Sequence, residues 1–139
     1  EGMVNLVGRS LDTSRRFDAA KVVVSLRTLG RRNLAEMLEH LVALAAHAGE
    51  VIDAEPSLSL LARPTAVTCV FDAPGASADD LREVQQRLLA RGELVLGRTQ
   101  IKGRAALKFT FMNPLATTGD VDALVRVVLD ELAAVRASN

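Results

Sequence analysis

"ELVLGRTQIKGRAALKFTFMNP", residues 93–114, decides the fold class. "ELVLGRTQ" (93–100) and "RAALKFTFM" (104–112) read as strands joined by a tight turn at "IKG", and Asn113-Pro114 ends the second. Strands joined by so short a turn must run antiparallel. A second pair lies upstream. "LSLLA" (58–62) is followed by Pro64, and "AVTCVFD" (66–72) is rich in β-branched residues.

Helices surround these pairs. Between them, Ser77 reads as the N-cap of "ADDLREVQQRLLAR". Asp80 stands at the capping-box position, acidic residues lead, Arg91 closes the run and Gly92 stops it. Thr117 or Thr118 opens the last helix, whose Val121, Leu124, Val125, Val128, Leu129 and Leu132 form one apolar stripe. At the other end, "DTSRRFDAAKVVVSLRTLG" reads as helix, with Asp12, Thr13 or Ser14 as cap candidates. Gly30 interrupts it, and Asn33 with Glu36 opens a second run. There Leu34, Met37, Leu38, Leu41, Leu44, Ala45, Ala48, Val51 and Ile52 keep the 3.6-residue period up to Pro56.

The order is helix, two strands, helix, two strands, helix. The expected fold is α+β: a four-stranded, mostly antiparallel sheet covered by helices on one face, with a long kinked N-terminal helical region. The other face is left for solvent or for docking. The expected organisation is one domain, with an irregular lead-in at 1–12, a helical region at 13–55 and a sheet-and-helix region at 56–139.

The bulk numbers exclude several classes. A hydrophobic content of 49% over 139 residues supports a real core, and aromatics at 3% leave that core to Leu, Val and Ala. Seventeen basic residues balance seventeen acidic ones, so no nucleic-acid surface is indicated. No apolar run approaches the roughly 20 residues that span a bilayer, so no membrane partner is expected. The lone Cys69 fits a reducing compartment, and the expected location is cytoplasmic.

Chemistry-bearing motifs are scarce. There is no glycine-rich phosphate loop and no G-x-S-x-G. Cys69 sits mid-strand, where it reads as a small core hydrophobe. His40 and His47 share a helix face but are too few for a zinc site. They read as helix-surface or interface histidines, and no metal site is expected. By these residues alone the chain does not look like an enzyme.

Two stretches change that reading. "TSRRFDAAK…LRTLGRR" supplies Arg15, Arg16, Phe17, Lys21, Leu26, Arg27 and Gly30. "ALKFTFMNPLAT" supplies Leu107, Lys108, Phe109 and Asn113-Pro114. In this order and spacing they resemble the C-terminal part of the group II pyridoxal-phosphate-dependent amino-acid decarboxylases, and the wording "SLDTSRRFDA" looks most like the bacterial diaminobutyrate branch. The resemblance covers nearly the whole chain. It implies a small C-terminal domain that completes the active site and the dimer of a larger carboxy-lyase. Its partners would be an upstream large domain that binds pyridoxal 5'-phosphate, a homodimer partner and a small amino-acid substrate.

The resemblance also implies site residues. In that family the lysine that carries the cofactor follows a histidine. None of Lys21, Lys102 and Lys108 does, so no catalytic or cofactor-binding residue is expected here, and the fragment alone is expected to be inactive. Ser14, just before the arginine pair, matches a position near the substrate pocket across the dimer interface; capping the helix is the plainer role. Lys108 matches a basic strand residue, often arginine, linked to the substrate carboxylate. Lysine lacks arginine's planar two-point grip, and a strand lysine facing solvent is the plainer reading. Arg15 and Arg16 read as ion-pairing, dimer-contact residues, in preference to direct cofactor contact.

The rival is a free-standing α+β module that binds a ligand or dimerises. It expects a natural start near Glu1, whereas the decarboxylase reading expects several hundred residues upstream. The ragged "EGMVNLVGRS", with no initiator methionine, suits a processed start or a domain cut from a longer protein.

Overall fold

The computed structural model describes residues 17–138. Seven elements follow in order: α1 (Ala19–Ala54), β1 (Ser59–Ala62), β2 (Thr68–Asp72), α2 (Ala78–Ala90), β3 (Gly97–Ile101), β4 (Arg104–Thr110) and α3 (Thr118–Ser138). Two compact units are distinguished, 1–35 and 36–139, and each is taken by itself.

The described part of the first unit is the opening of α1. Asp18 pairs with Lys21 at its start, at 2.7 Å. Gly30 breaks the helical geometry with φ 76° and ψ 159°, a left-handed φ that only glycine adopts freely. Helical backbone resumes directly after it, ahead of the Asn33 start expected from the sequence. Phe17, Val22, Val23, Val24, Leu26 and Leu29 are all exposed.

The second unit holds the sheet, with strand order β1-β2-β4-β3 and every pair antiparallel. The expected α+β architecture is present. The "IKG" turn is a two-residue connection: Ile101 pairs with Arg104, and Lys102 and Gly103 both take positive φ (50° and 79°). That geometry matches the right-handed twist of the flanking strands.

One strand is shorter than the sequence suggests. Residues 93–96 alternate like a strand but lie outside β3. The end of α2 holds them instead: Glu93 N donates to Leu88 O, and Gln85 Nε2 donates to Leu96 O at 2.9 Å. With Leu96 buried and its carbonyl taken by a side chain, pairing with β4 begins only at Gly97.

Strand alternation sorts the sheet into two faces. Cys69, Phe71, Leu107 and Phe109 point to the core, where they cluster with Leu44, Ala48 and Ile52 of α1, Leu81, Val84 and Leu88 of α2, and Val121, Val125, Val128 and Leu132 of α3. Phe71, Phe109 and Phe111 stack along this face with ring centroids 5.0 and 6.1 Å apart. The opposite face presents Thr68, Val70, Gly97, Thr99, Ala106 and Lys108, none of which joins that cluster.

Helix ends are closed locally. Ser77 and Asp80 form a reciprocal capping box at α2. Thr117 and Asp120 do the same at α3: Asp120 N donates to Thr117 Oγ1, and Thr117 N donates to Asp120 Oδ2. Between α2 and α3, the buried Glu131 meets both Arg87 and Arg91.

Candidate functional site

Lys108 stands in the middle of β4, opposite Gly97 on β3 and Val70 on β2. Its neighbours Leu107 and Phe109 turn into the core, so its side chain emerges on the face away from that cluster. There it is half-buried. Its stem lies against Gly97: a Cβ at that position would stand 2.9 Å from Lys108 Cε and 3.4 Å from Lys108 Cβ.

The acid on this face is already engaged. Asp72 belongs to β2, two residues beyond Val70, and its carboxylate accepts from Arg104 Nη2 at the start of β4. Asp72 is buried, and its Oδ1 has no hydrogen-bond partner among the described residues. Lys108 is therefore left alone. Among the described residues it is the one basic side chain that is half-buried and has neither a hydrogen bond nor an ion pair. An ammonium so placed, on a wall made by Gly97 and Val70, is suited to an incoming anion through a charge-assisted hydrogen bond.

The other residues singled out by sequence fall elsewhere. Ser14, Arg15 and Arg16 lie outside the described residues. Lys21 is exposed and paired with Asp18, and Lys102 sits on the β3–β4 turn. Cys69 is fully buried, and burial pushes its thiol up to about 11. Both histidines hold the start of α3: His40 Nε2 contacts Ala116 O at 2.8 Å, and His47 Nε2 contacts Asp122 Oδ1 at 2.7 Å. Among the described residues no three His, Cys, Asp or Glu side chains gather as metal ligands, and no helix is long and apolar enough to cross a membrane.

The starts of α2 and α3 are poor sites for a phosphate. Phosphates favour free N–H groups at helix starts. The start of α2 is closed by the Asp80 carboxylate and that of α3 by Asp120, which occupy donors there and repel a further anion. A concavity of about 490 Å³ runs along the outside of α2, and its charges pair with one another, Arg82 with Asp79 and Arg87 with Glu83.

Two features escaped the sequence reading. The Asp72–Arg104 pair depends on β2 lying beside β4, which no local signal specifies. Gly97 carried a usable signal: a two-residue turn between Ile101 and Arg104 sets the register, and counting outward along both strands brings Gly97 opposite Lys108.

Comparison with known proteins adds four findings. No family model matches the chain. It is 35% identical over 136 residues to the L-2,4-diaminobutyrate decarboxylase of Acinetobacter baumannii, covering 94% of this chain and 27% of that protein. The chain thus spans about a quarter of the length of this relative. The solved glutamate decarboxylase domain of a diaminobutyrate-pyruvate transaminase and L-2,4-diaminobutyrate decarboxylase from Vibrio parahaemolyticus superposes with a TM-score of 0.77 at 33% identity, over 88% of this chain and 27% of that one. Oryza sativa TDC, solved with PLP and tryptamine, gives a TM-score of 0.74 at 19% identity, over 89% of this chain and 28% of that one. At that identity it speaks for the fold alone.

Proposed function

We propose, from a chain homologous over nearly its whole length to L-2,4-diaminobutyrate decarboxylases, that it is the C-terminal domain of a PLP-dependent amino-acid decarboxylase acting on L-2,4-diaminobutyrate or a related amino acid. On this reading the cofactor and the lysine that holds it belong to an upstream large domain, and the present chain forms one wall of the substrate site. The observation that carries the reading is Lys108, half-buried on the open sheet face and without a partner among the described residues.

The role of Lys108 is to orient the substrate. An amino acid brings a carboxylate, and the bond to that carboxylate is the one to be broken. The ammonium is free to hold the carboxylate, because Asp72, the acid on the same face, is engaged by Arg104. Being a point charge, lysine fixes the carboxylate less rigidly than a bidentate arginine does. Ser14, through its hydroxyl, would tune substrate choice by size and hydrogen bonding. Arg15 and Arg16 would pin the entry of the domain to the large domain and to a second subunit. The exposed Phe17, Val22, Val23, Val24, Leu26 and Leu29 support burial of this stretch of α1 against the rest of such a homodimer. A cytoplasmic location suits the single free cysteine. Alone, the domain lacks the opposite wall that would exclude water and fix the reacting geometry, and so it does not decarboxylate.

The test is kinetic, in the full-length parent. Losing a charge-assisted hydrogen bond costs roughly 1.5–3 kcal/mol, so Lys108→Ala should lower kcat/KM about tenfold to a hundredfold. Ser14→Gly should change the ratio of rates between competing amino acids more than the total rate. Unchanged kinetics in both variants would reduce the two positions to structural ones.

A further inference from the structure

Gly97 has no backbone reason to be glycine. Among the described residues, Gly30, Gly75, Gly92 and Gly103 are the glycines with positive φ; Gly97 lies in ordinary strand geometry within β3. Glycine in a strand interior forgoes side-chain packing and carries an entropic cost relative to alanine. Such a position often marks close approach by something else. Here the approaching group is Lys108, with Cε only 2.9 Å from where a Cβ would stand. That distance is closer than carbon atoms tolerate. The other near atoms are Lys108 O at 3.2 Å and Lys108 Cβ at 3.4 Å, so the strand pair must also give by a few tenths of an ångström.

We infer that Gly97 is a positioning residue: its missing side chain is the slot in which the Lys108 stem lies, and it thereby sets where the ammonium meets the substrate carboxylate. The inference rests on the substrate-orienting role proposed for Lys108 and adds the device that aims it. A methyl at Gly97 collides with the far end of a flexible side chain, so the fold keeps its register while the ammonium is displaced. Asp72, the acid on the same face, is held by Arg104 through one carboxylate oxygen. A substitution at Gly97 therefore separates position from stability: alanine is the better strand former, and only the aim of Lys108 is lost.

The experiment compares the full-length parent with Gly97→Ala, Lys108→Ala and the double variant, all with saturating cofactor. Melting temperature, kcat and KM are measured for each, together with inhibition by the carboxylate-free diamine that decarboxylation leaves. Gly97→Ala should melt close to the parent temperature. It should raise KM about tenfold with a smaller change in kcat, and leave inhibition by the diamine unchanged, because that molecule has no carboxylate to hold. The double variant should be no worse than Lys108→Ala. If Lys108→Ala itself leaves kcat/KM untouched, the role of Lys108 fails and Gly97 has nothing to aim. If Lys108→Ala is impaired but Gly97→Ala matches the parent, the role of Lys108 stands and the positioning inference is overturned. Losses that multiply in the double variant would also overturn it, because Gly97 would then act by a route independent of Lys108.

Discussion

Removing Arg91 should destabilise this protein more than removing the glutamate it binds. Glu131 lies on α3 with its side chain only 4% exposed, whereas that of Arg91, after the end of α2, is 46% exposed. Arg87 approaches the same carboxylate at 3.5 Å. Breaking a buried ion pair by deleting one partner costs about 3–5 kcal/mol when the survivor is left buried and charged. In Arg91→Met the survivor is Glu131, in the interior among Val128, Leu132 and Val135. Arg87 still faces it, and Arg91 was half in water, so roughly half of the full penalty, ~2 kcal/mol, is the expected loss. In Glu131→Leu the survivors are the two arginines, which keep Glu83 and Glu93 and reach solvent. That variant should lie within about 1 kcal/mol of the parent, since an apolar side chain replaces a desolvated charge. Combining the two changes should recover most of the loss. Urea unfolding followed by circular dichroism reads these differences. With a slope of about 2 kcal/mol per molar, Arg91→Met moves the midpoint by about 1 M. A Glu131→Leu variant as unstable as Arg91→Met, or more so, would refute the reasoning that the buried member of the pair dictates the cost.

Cys69 should be silent toward thiol reagents in the folded protein. With its thiol pushed up to about 11, only about one molecule in a thousand is thiolate near pH 8, and the sulfur is enclosed as well. A disulfide reagent should label it only in denaturant, and rapid native labelling would contradict the burial. Asp120 makes a pH prediction. The Thr117 backbone N–H, and next its hydroxyl, hold the Asp120 carboxyl below its ordinary value of 3.8. A depressed carboxyl adds stability above its unfolded value and loses it as the pH falls through the folded one. The melting-temperature gap between the parent and Asp120→Ala should therefore be constant near neutrality and shrink below 3.8. A gap that persists unchanged into strong acid would show that the cap does not depend on the charge.

Whatever depends on neighbours along the chain was legible in the residues themselves. The "IKG" turn, the Ser77–Asp80 and Thr117–Asp120 caps, the apolar stripes of α1 and α3 and the break at Gly30 are all settled within a few residues, by backbone sterics and local hydrogen bonds. From the hairpin and the element order the α+β class follows; the pairing of Gly97 with Lys108 needed the observed turn, in which Ile101 pairs with Arg104. Tertiary structure decided the rest. Nothing local places β2 beside β4, yet that adjacency sets Val70 next to Lys108 and lets Arg104 engage Asp72. Nothing local tells Leu96 that Gln85 will take its carbonyl, so the first four residues of "ELVLGRTQ" alternate like a strand without becoming one. A charged residue on the last helix looks solvated until α2 packs over it, and Glu131 is then buried between two arginines. The difference is physical: turn and cap energies are fixed by groups a few bonds apart. Burial, sheet order and the isolation of Lys108 depend on which distant surfaces exclude water from one another.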